Sequence, residues 1–182
     1  MALGDNKALL AQRNGDGHIR VYVALRVPED WLGWTRFNFD QPAQVRGECL
    51  NLFTEWAPDI LELLRASNNL FLPRPLYTFS PQQAWASQPD ATLLGDAAHV
   101  MPPFTGKGAN YAMLDALELA DALTNGQFPD IASAIRHYDT TLLARMADAI
   151  GDTLSSQDAL MAPDAPSSLL AYIAQSQDTC KT

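Results

Sequence analysis

Leu93-Leu94-Gly95-Asp96-Ala97-Ala98-His99-Val100-Met101-Pro102-Pro103-Phe104-Thr105-Gly106-Lys107-Gly108-Ala109-Asn110 is the stretch whose reading decides the fold. It joins an apolar strand, a carboxylate, a proline-glycine loop and a helix start in one short segment. Leu93 and Leu94 end the strand, and Asp96 stands at its carboxyl end. Gly106 and Gly108 let the backbone approach a bound group closely before the helix that follows. The first N–H groups of a helix are unpaired and carry its positive dipole end, so the ligand of such a junction is anionic, or polar and flat.

Working outward, Ala8 to Gln12 and His18 to Val27 alternate β-branched or aromatic residues with polar ones and read as strands. Arg13-Asn14-Gly15-Asp16-Gly17 supplies the hairpin turn between them. Gln44 to Ala57 carries Val45, Cys49, Leu52, Phe53 and Trp56 at helical spacing, and Asp59 to Arg65 reads as a short helix after Pro58. Pro73 and Pro75 break that pattern, and Leu76 to Phe79 and Thr92 to Leu94 read as strands. A helix is expected from Ala109 to Leu123, stopped by Asn125-Gly126. A long one follows from Asp130 to Leu160, with Ile131, Ile135, Tyr138, Leu142, Leu143 and Met146 as its apolar stripe and Gly151 as a point of kinking. A last short helix is expected over Ser167 to Gln175, followed by a frayed polar tail.

Composition narrows the function classes. The chain has 182 residues, 47% of them hydrophobic, enough to bury a core. A formal net charge of −9 argues against nucleic acid or an acidic membrane as partner, because both need a basic face. Trp31, Trp34, Trp56 and Trp85 are not interleaved with basic residues and read as core or interface aromatics. Cys49 and Cys180 lack metal-type spacing, and no disulfide framework is expected. His18, His99 and His137 lack ligand spacing as well, so no metal site is expected, and no nucleophile-base pair or paired carboxylates are evident. With no signal peptide and no run approaching the ~20 apolar residues of a membrane helix, a cytoplasmic location is expected.

The central stretch resembles the second flavin-binding motif of the FAD-dependent aromatic-ring hydroxylases, the single-component flavoprotein monooxygenases. The resemblance is carried by Gly95, Asp96, Ala97, Ala98, His99, Pro102, Pro103, Gly106, Gly108, Asn110 and Asp115, and the helix from Ala116 to Leu123 continues it. Within the family the chain looks most like the tetracycline-modifying monooxygenases. The family opens with a strand and Gly-x-Gly-x-x-Gly, whose helix start receives the FAD pyrophosphate. Here the Gly-x-Gly strings are Gly15-Asp16-Gly17, a turn, and Gly106-Lys107-Gly108, and neither follows a strand in that context. The expected fold class is therefore α/β, an α+β fragment. It is the carboxyl-terminal half of a two-domain FAD-binding monooxygenase fold, lacking the N-terminal Rossmann βαβ unit. Residues 1–88 would form a partial substrate-binding domain, 89–126 the last strand, Gly-Asp motif and helix of the FAD domain, and 127–182 a helical region.

Read alone, Asp96 is a turn cap. The resemblance implies that it accepts hydrogen bonds from the ribityl hydroxyls of FAD. It likewise implies that the backbone of Gly106, Lys107, Gly108, Ala109 and Asn110 faces the flavin ring and stabilises its reduced anion, and that Gly95 and Pro103 complete the cofactor site. Pro102, Pro103 and Phe104 would shield the ring from water, so that its C4a-hydroperoxide transfers oxygen before it decays. His99 reads as structural support and Asp115 as a residue that settles the helix. Phe104, with Arg20 and Tyr22 on the second strand, are substrate-facing candidates, and a solvated strand face is the other reading of the latter two. Phe71 and Phe79 are further pocket candidates.

The activity implied is NADPH- or NADH-dependent hydroxylation of an aromatic or polycyclic small molecule. The other reading is a catalytically silent half, which self-associates or docks a partner chain carrying the missing unit through an exposed apolar edge.

Overall fold

The computed structural model describes the backbone of residues 1–34 and 37–179, and all their side chains except those of residue 34 and residues 176–179. Cys180 lies outside the described residues. By packing, the chain forms two compact units, Met1–Arg74 with Asp158–Thr182, and Pro75–Gln157.

In the first unit the hairpin forms as its sequence dictates. Strands β2 (Lys7–Arg13) and β3 (Ile19–Leu25) pair antiparallel with Leu9 opposite Val23 and Leu10 opposite Tyr22. Gly17, at φ +83°, donates to the Asn14 carbonyl at 3.0 Å and closes the turn. Because strand side chains alternate in direction, Leu9, Val21, Val23 and Leu25 face a core built from Val45, Cys49, Phe53, Leu61 and Leu64. Leu10, Gln12, Arg20 and Tyr22 stand exposed on the other face. A third strand, β1 (Ala2–Gly4), extends the sheet in the order β1-β2-β3. The two-residue turn joining it to β2 places Asp5 and Asn6 at φ +50° and +59°.

A short helix, α1 (Trp31–Trp34), precedes α2 (Pro42–Leu52) and α3 (Pro58–Arg65). Helix α2 ends five residues before the expected Ala57. Ala57 precedes a proline and sits at φ −55°, ψ 141°, outside the helical region, so the chain must turn first. Phe53 and Trp56 keep their apolar spacing by packing edge to face at 4.7 Å within that turn.

In the second unit, neither Leu76–Phe79 nor Thr92–Leu94 is a strand, contrary to expectation. A strand needs a neighbour to take its backbone hydrogen bonds, and among the described residues neither segment has one. They carry no regular secondary structure. Phe79 N donates to the Val100 carbonyl at 3.0 Å, and the Tyr138 hydroxyl donates to the Leu93 carbonyl at 3.2 Å. The helices are α4 (Asp96–His99), α5 (Gly108–Thr124) and α6 (Ile131–Leu160), with α7 (Ser167–Thr179) closing the chain in the first unit. Helix α6 runs unbroken through Gly151. Asp130 caps it, its carboxylate accepting from Ser133 N at 2.7 Å, and that hydrogen bond holds the Asp130 carboxyl below its ordinary range. Tyr138, Leu142, Met146, Ala149 and Ile150 of α6 form the core of this unit with Ala98, and Phe79, Trp85, Met101 and Tyr111 pack against it. No helix among the described residues is long and apolar enough to cross a membrane.

Candidate functional site

Gly95 adopts φ 59°, ψ −141°, a conformation that only glycine reaches without strain. A Cβ built on it would lie 3.3 Å from the Ala112 Cβ, so helix α5 passes directly against this turn. The Gly95 carbonyl accepts from both Ala98 N and His99 N at 2.9 Å, which winds residues 96–99 into the single turn α4. Ala98 and His99 are thereby buried, and Asp96 and Ala97 are left exposed on the outer side.

The chain then crosses the end of α6. Pro102 is buried and Pro103 exposed. The half-buried Phe104 offers its carbonyl to the Ser156 hydroxyl at 3.3 Å, and Thr105 Oγ1 meets Thr153 Oγ1 at 2.9 Å. Gly106, at φ +67°, turns the backbone into α5 by donating to the Pro103 carbonyl at 3.2 Å. No side chain caps α5. Its backbone ladder begins outside the helix with Tyr111 N donating to the Lys107 carbonyl at 3.0 Å, so the N–H groups of Gly108, Ala109 and Asn110 form the open positive end. A Cβ at Gly108 would find only Met101 Cγ at 3.7 Å, an ordinary contact, so packing within the unit does not require glycine there. Lys107 Nζ lies 3.9 Å from Asp152, and both side chains are at least half exposed.

Beneath this surface lies a buried polar network. The Asp115 carboxylate is fully buried and accepts from Gly95 N at 2.9 Å, His99 Nε2 at 2.5 Å and Arg145 Nη2 at 2.8 Å. Arg145 Nη1 also donates to both oxygens of Glu118 at 2.6 Å. Burial pulls the Arg145 guanidinium down, but its hydrogen bonds to Glu118 and Asp115 outweigh that and hold it above its ordinary value. Burial, and then the nearby Asp115 carboxylate, push the Tyr138 phenol up, so it remains a donor to Leu93. Asp139 accepts from the Thr92 hydroxyl.

The residues singled out in the sequence thus divide. Gly95, Asp96, Pro103, Gly106, Lys107, Gly108, Ala109 and Asn110 share one unit, as does Phe104, whereas Arg20 and Tyr22 belong to the other. Phe71 packs against the core of the first unit and Phe79 against that of the second. Arg145 and Glu118 were passed over. Asp115 and Glu118, three residues apart, signal two carboxylates on one helix face, but their arginine partner lies 27 residues beyond Glu118. Chemically, the surface offers one exposed carboxylate acceptor beside a row of backbone donors, a set suited to a polyol and the anionic edge of a ring.

Residues 86–127, which span this turn, loop and helix, match the family model of the FAD binding domain. Zeaxanthin epoxidase of Nicotiana plumbaginifolia is 30% identical across 75% of this chain and 24% of its own. Monooxygenase asqM of Emericella nidulans is 28% identical across 86% of this chain and 42% of its own. These matches support the FAD-dependent hydroxylase family for this chain. In fold, the chain superposes on Klebsiella pneumoniae HpxO, crystallised with FAD and uric acid, with a TM-score of 0.73 at 23% identity. That alignment covers 94% of this chain and 42% of HpxO. The chain spans 22–42% of the length of the curated flavoprotein relatives first matched.

Proposed function

We propose that this chain supplies the flavin-facing segment of an NADPH- or NADH-dependent monooxygenase acting on an aromatic or polycyclic small molecule. The observation that supports the reading is that exposed Asp96 directly follows Gly95, a glycine in contact distance of Ala112 in the first turns of the uncapped α5. The donor set fits FAD. Asp96 would accept from ribityl hydroxyls, and the N–H groups of Gly108, Ala109 and Asn110 would face the ring edge that carries negative charge on reduction. Gly106 and Lys107 shape that approach, and Pro103 and Phe104 would keep water from the ring. Bound FAD, reduced by the nicotinamide, supplies the activation of O₂ and the transfer of one oxygen atom to substrate. Flat ring substrates are favoured by the family and by the uric acid in the HpxO crystal. Phe104 is the proposed substrate-facing residue of this unit.

The test is titration of the purified chain with FAD, followed by absorbance and fluorescence, beside Asp96→Ala. Loss of hydrogen bonds to a charged acceptor weakens binding about 10- to 100-fold. Equal affinity of the two proteins would overturn the assignment of Asp96.

A second reading rests on a separate observation. The outer face of α5 exposes Met113 (65%) and Leu117 (67%), and Leu93 and Leu94 are 43% and 42% exposed in the segment before Gly95. Such a face suits docking of a partner that carries the nucleotide-binding unit, or self-association. A folded chain that binds no FAD by itself but associates through this face would favour the silent half over the complete enzyme.

A further inference from the structure

We propose that Asp115, Arg145 and Glu118 act as positioning residues for the turn that presents Asp96, an inference that rests on the flavin reading above. One buried carboxylate ties both ends of the turn, taking Gly95 N at 2.9 Å on one side and His99 Nε2 at 2.5 Å on the other. Only residues 96–98 lie between these anchors. A carboxylate accepts and cannot donate here, so the His99 ring presents its Nε2–H to Asp115. His99 Nδ1 is buried without a partner among the described residues, leaving Asp115 as the only polar anchor of that ring. The direction of the Asp96 side chain is therefore set from below by Asp115.

Asp115 needs a counter-charge to be stable at 0% exposure. Arg145 provides it from α6, and its position is fixed in turn by the two 2.6 Å bonds to Glu118. The guanidinium fork reaches both carboxylates at once, which an ammonium cannot do with the same geometry. The arrangement transmits the placement of α6 to the turn through α5. This goes beyond stabilising a core, because the carboxylate is spent on the two ends of the ligand-facing turn.

The variants are Arg145→Lys and, as the milder change in case the first unfolds, Glu118→Gln. Amide hydrogen exchange by NMR reads the Gly95 N–H directly, and FAD titration reads the consequence. Both variants are expected to speed exchange at Gly95 and residues 96–99 selectively, with exchange in the α6 core unchanged, and to weaken FAD about tenfold, Glu118→Gln less than Arg145→Lys. Exchange that rises equally throughout the unit, or an unchanged Gly95 amide, would overturn the positioning role. Failure of the wild-type chain to bind FAD would instead count against the flavin reading, since the exchange measurement needs no flavin.

Discussion

Gly95→Ala isolates the most constrained backbone position of the site. At φ 59°, ψ −141° an L-residue with a Cβ is strained by about 1–3 kcal/mol. The added methyl also lands 3.3 Å from Ala112 Cβ, closer than ordinary van der Waals contact, so α5 or the turn must shift. Together these cost about 2–4 kcal/mol, which for a chain of this length lowers Tm by roughly 4–16 °C. The assay is thermal unfolding followed by circular dichroism, with Gly15→Ala as control, because that glycine has no positive φ and nothing within 4 Å of its Cβ. Adding Ala112→Gly to Gly95→Ala should recover the steric part but not the backbone part, so the double variant should stay below wild type. A Gly95→Ala protein that melts with Gly15→Ala would refute the claim that this turn is held in a glycine-only conformation against α5.

Cys49 is buried, and burial, then Glu48, push its thiol up to about 11. Native chain at pH 8 should therefore resist alkylation at Cys49, and urea should expose it, as read by peptide mapping. Since the folded pKa lies above the ordinary 9.0, this thiol's contribution to stability is intact below pH 9 and is lost as pH rises toward 11, measurable as a falling urea midpoint. Phe53→Ala removes a side chain of 0% exposure and should cost about 3–5 kcal/mol, and Leu142→Ala, also at 0%, about 2–5. Hydrogen exchange should find the first loss concentrated in the sheet and α2, the second in α6. Met113→Lys with Leu117→Glu should leave stability within about 0.5 kcal/mol and abolish any self-association seen by sedimentation, because both side chains are exposed.

The local features of this fold were legible because the information for them is local. The Asn14–Gly17 turn fixes the hairpin, the stripe from Ile135 to Met146 fixes the inner face of α6, and of the two glycines read as freeing the backbone, Gly106 takes positive φ and Gly108 does not. The failures arise where structure depends on distant chain. Leu76–Phe79 and Thr92–Leu94 have the composition of strands, but strand formation needs a neighbour, and composition is silent about whether one is present. Phe53 and Trp56 keep helical spacing through a turn imposed by Pro58. At the site, the start of α5 could be read from motif and spacing. The joining of Gly95, His99, Glu118 and Arg145 around Asp115 could not, because it is written across three helices and, apart from the three-residue spacing of Asp115 and Glu118, no spacing rule relates them. The grouping of residues 158–182 with the sheet is likewise a property of packing alone.

The most direct test of the flavin-facing role is hydrogen–deuterium exchange of the chain with and without millimolar FAD, resolved by peptide, since it detects weak binding and locates it. The expected result is slowed exchange confined to residues 95–97 and 106–111, the turn that presents Asp96 and the open end of α5. Unchanged exchange in both segments at saturating FAD, or protection confined to other parts of the chain, would contradict the account.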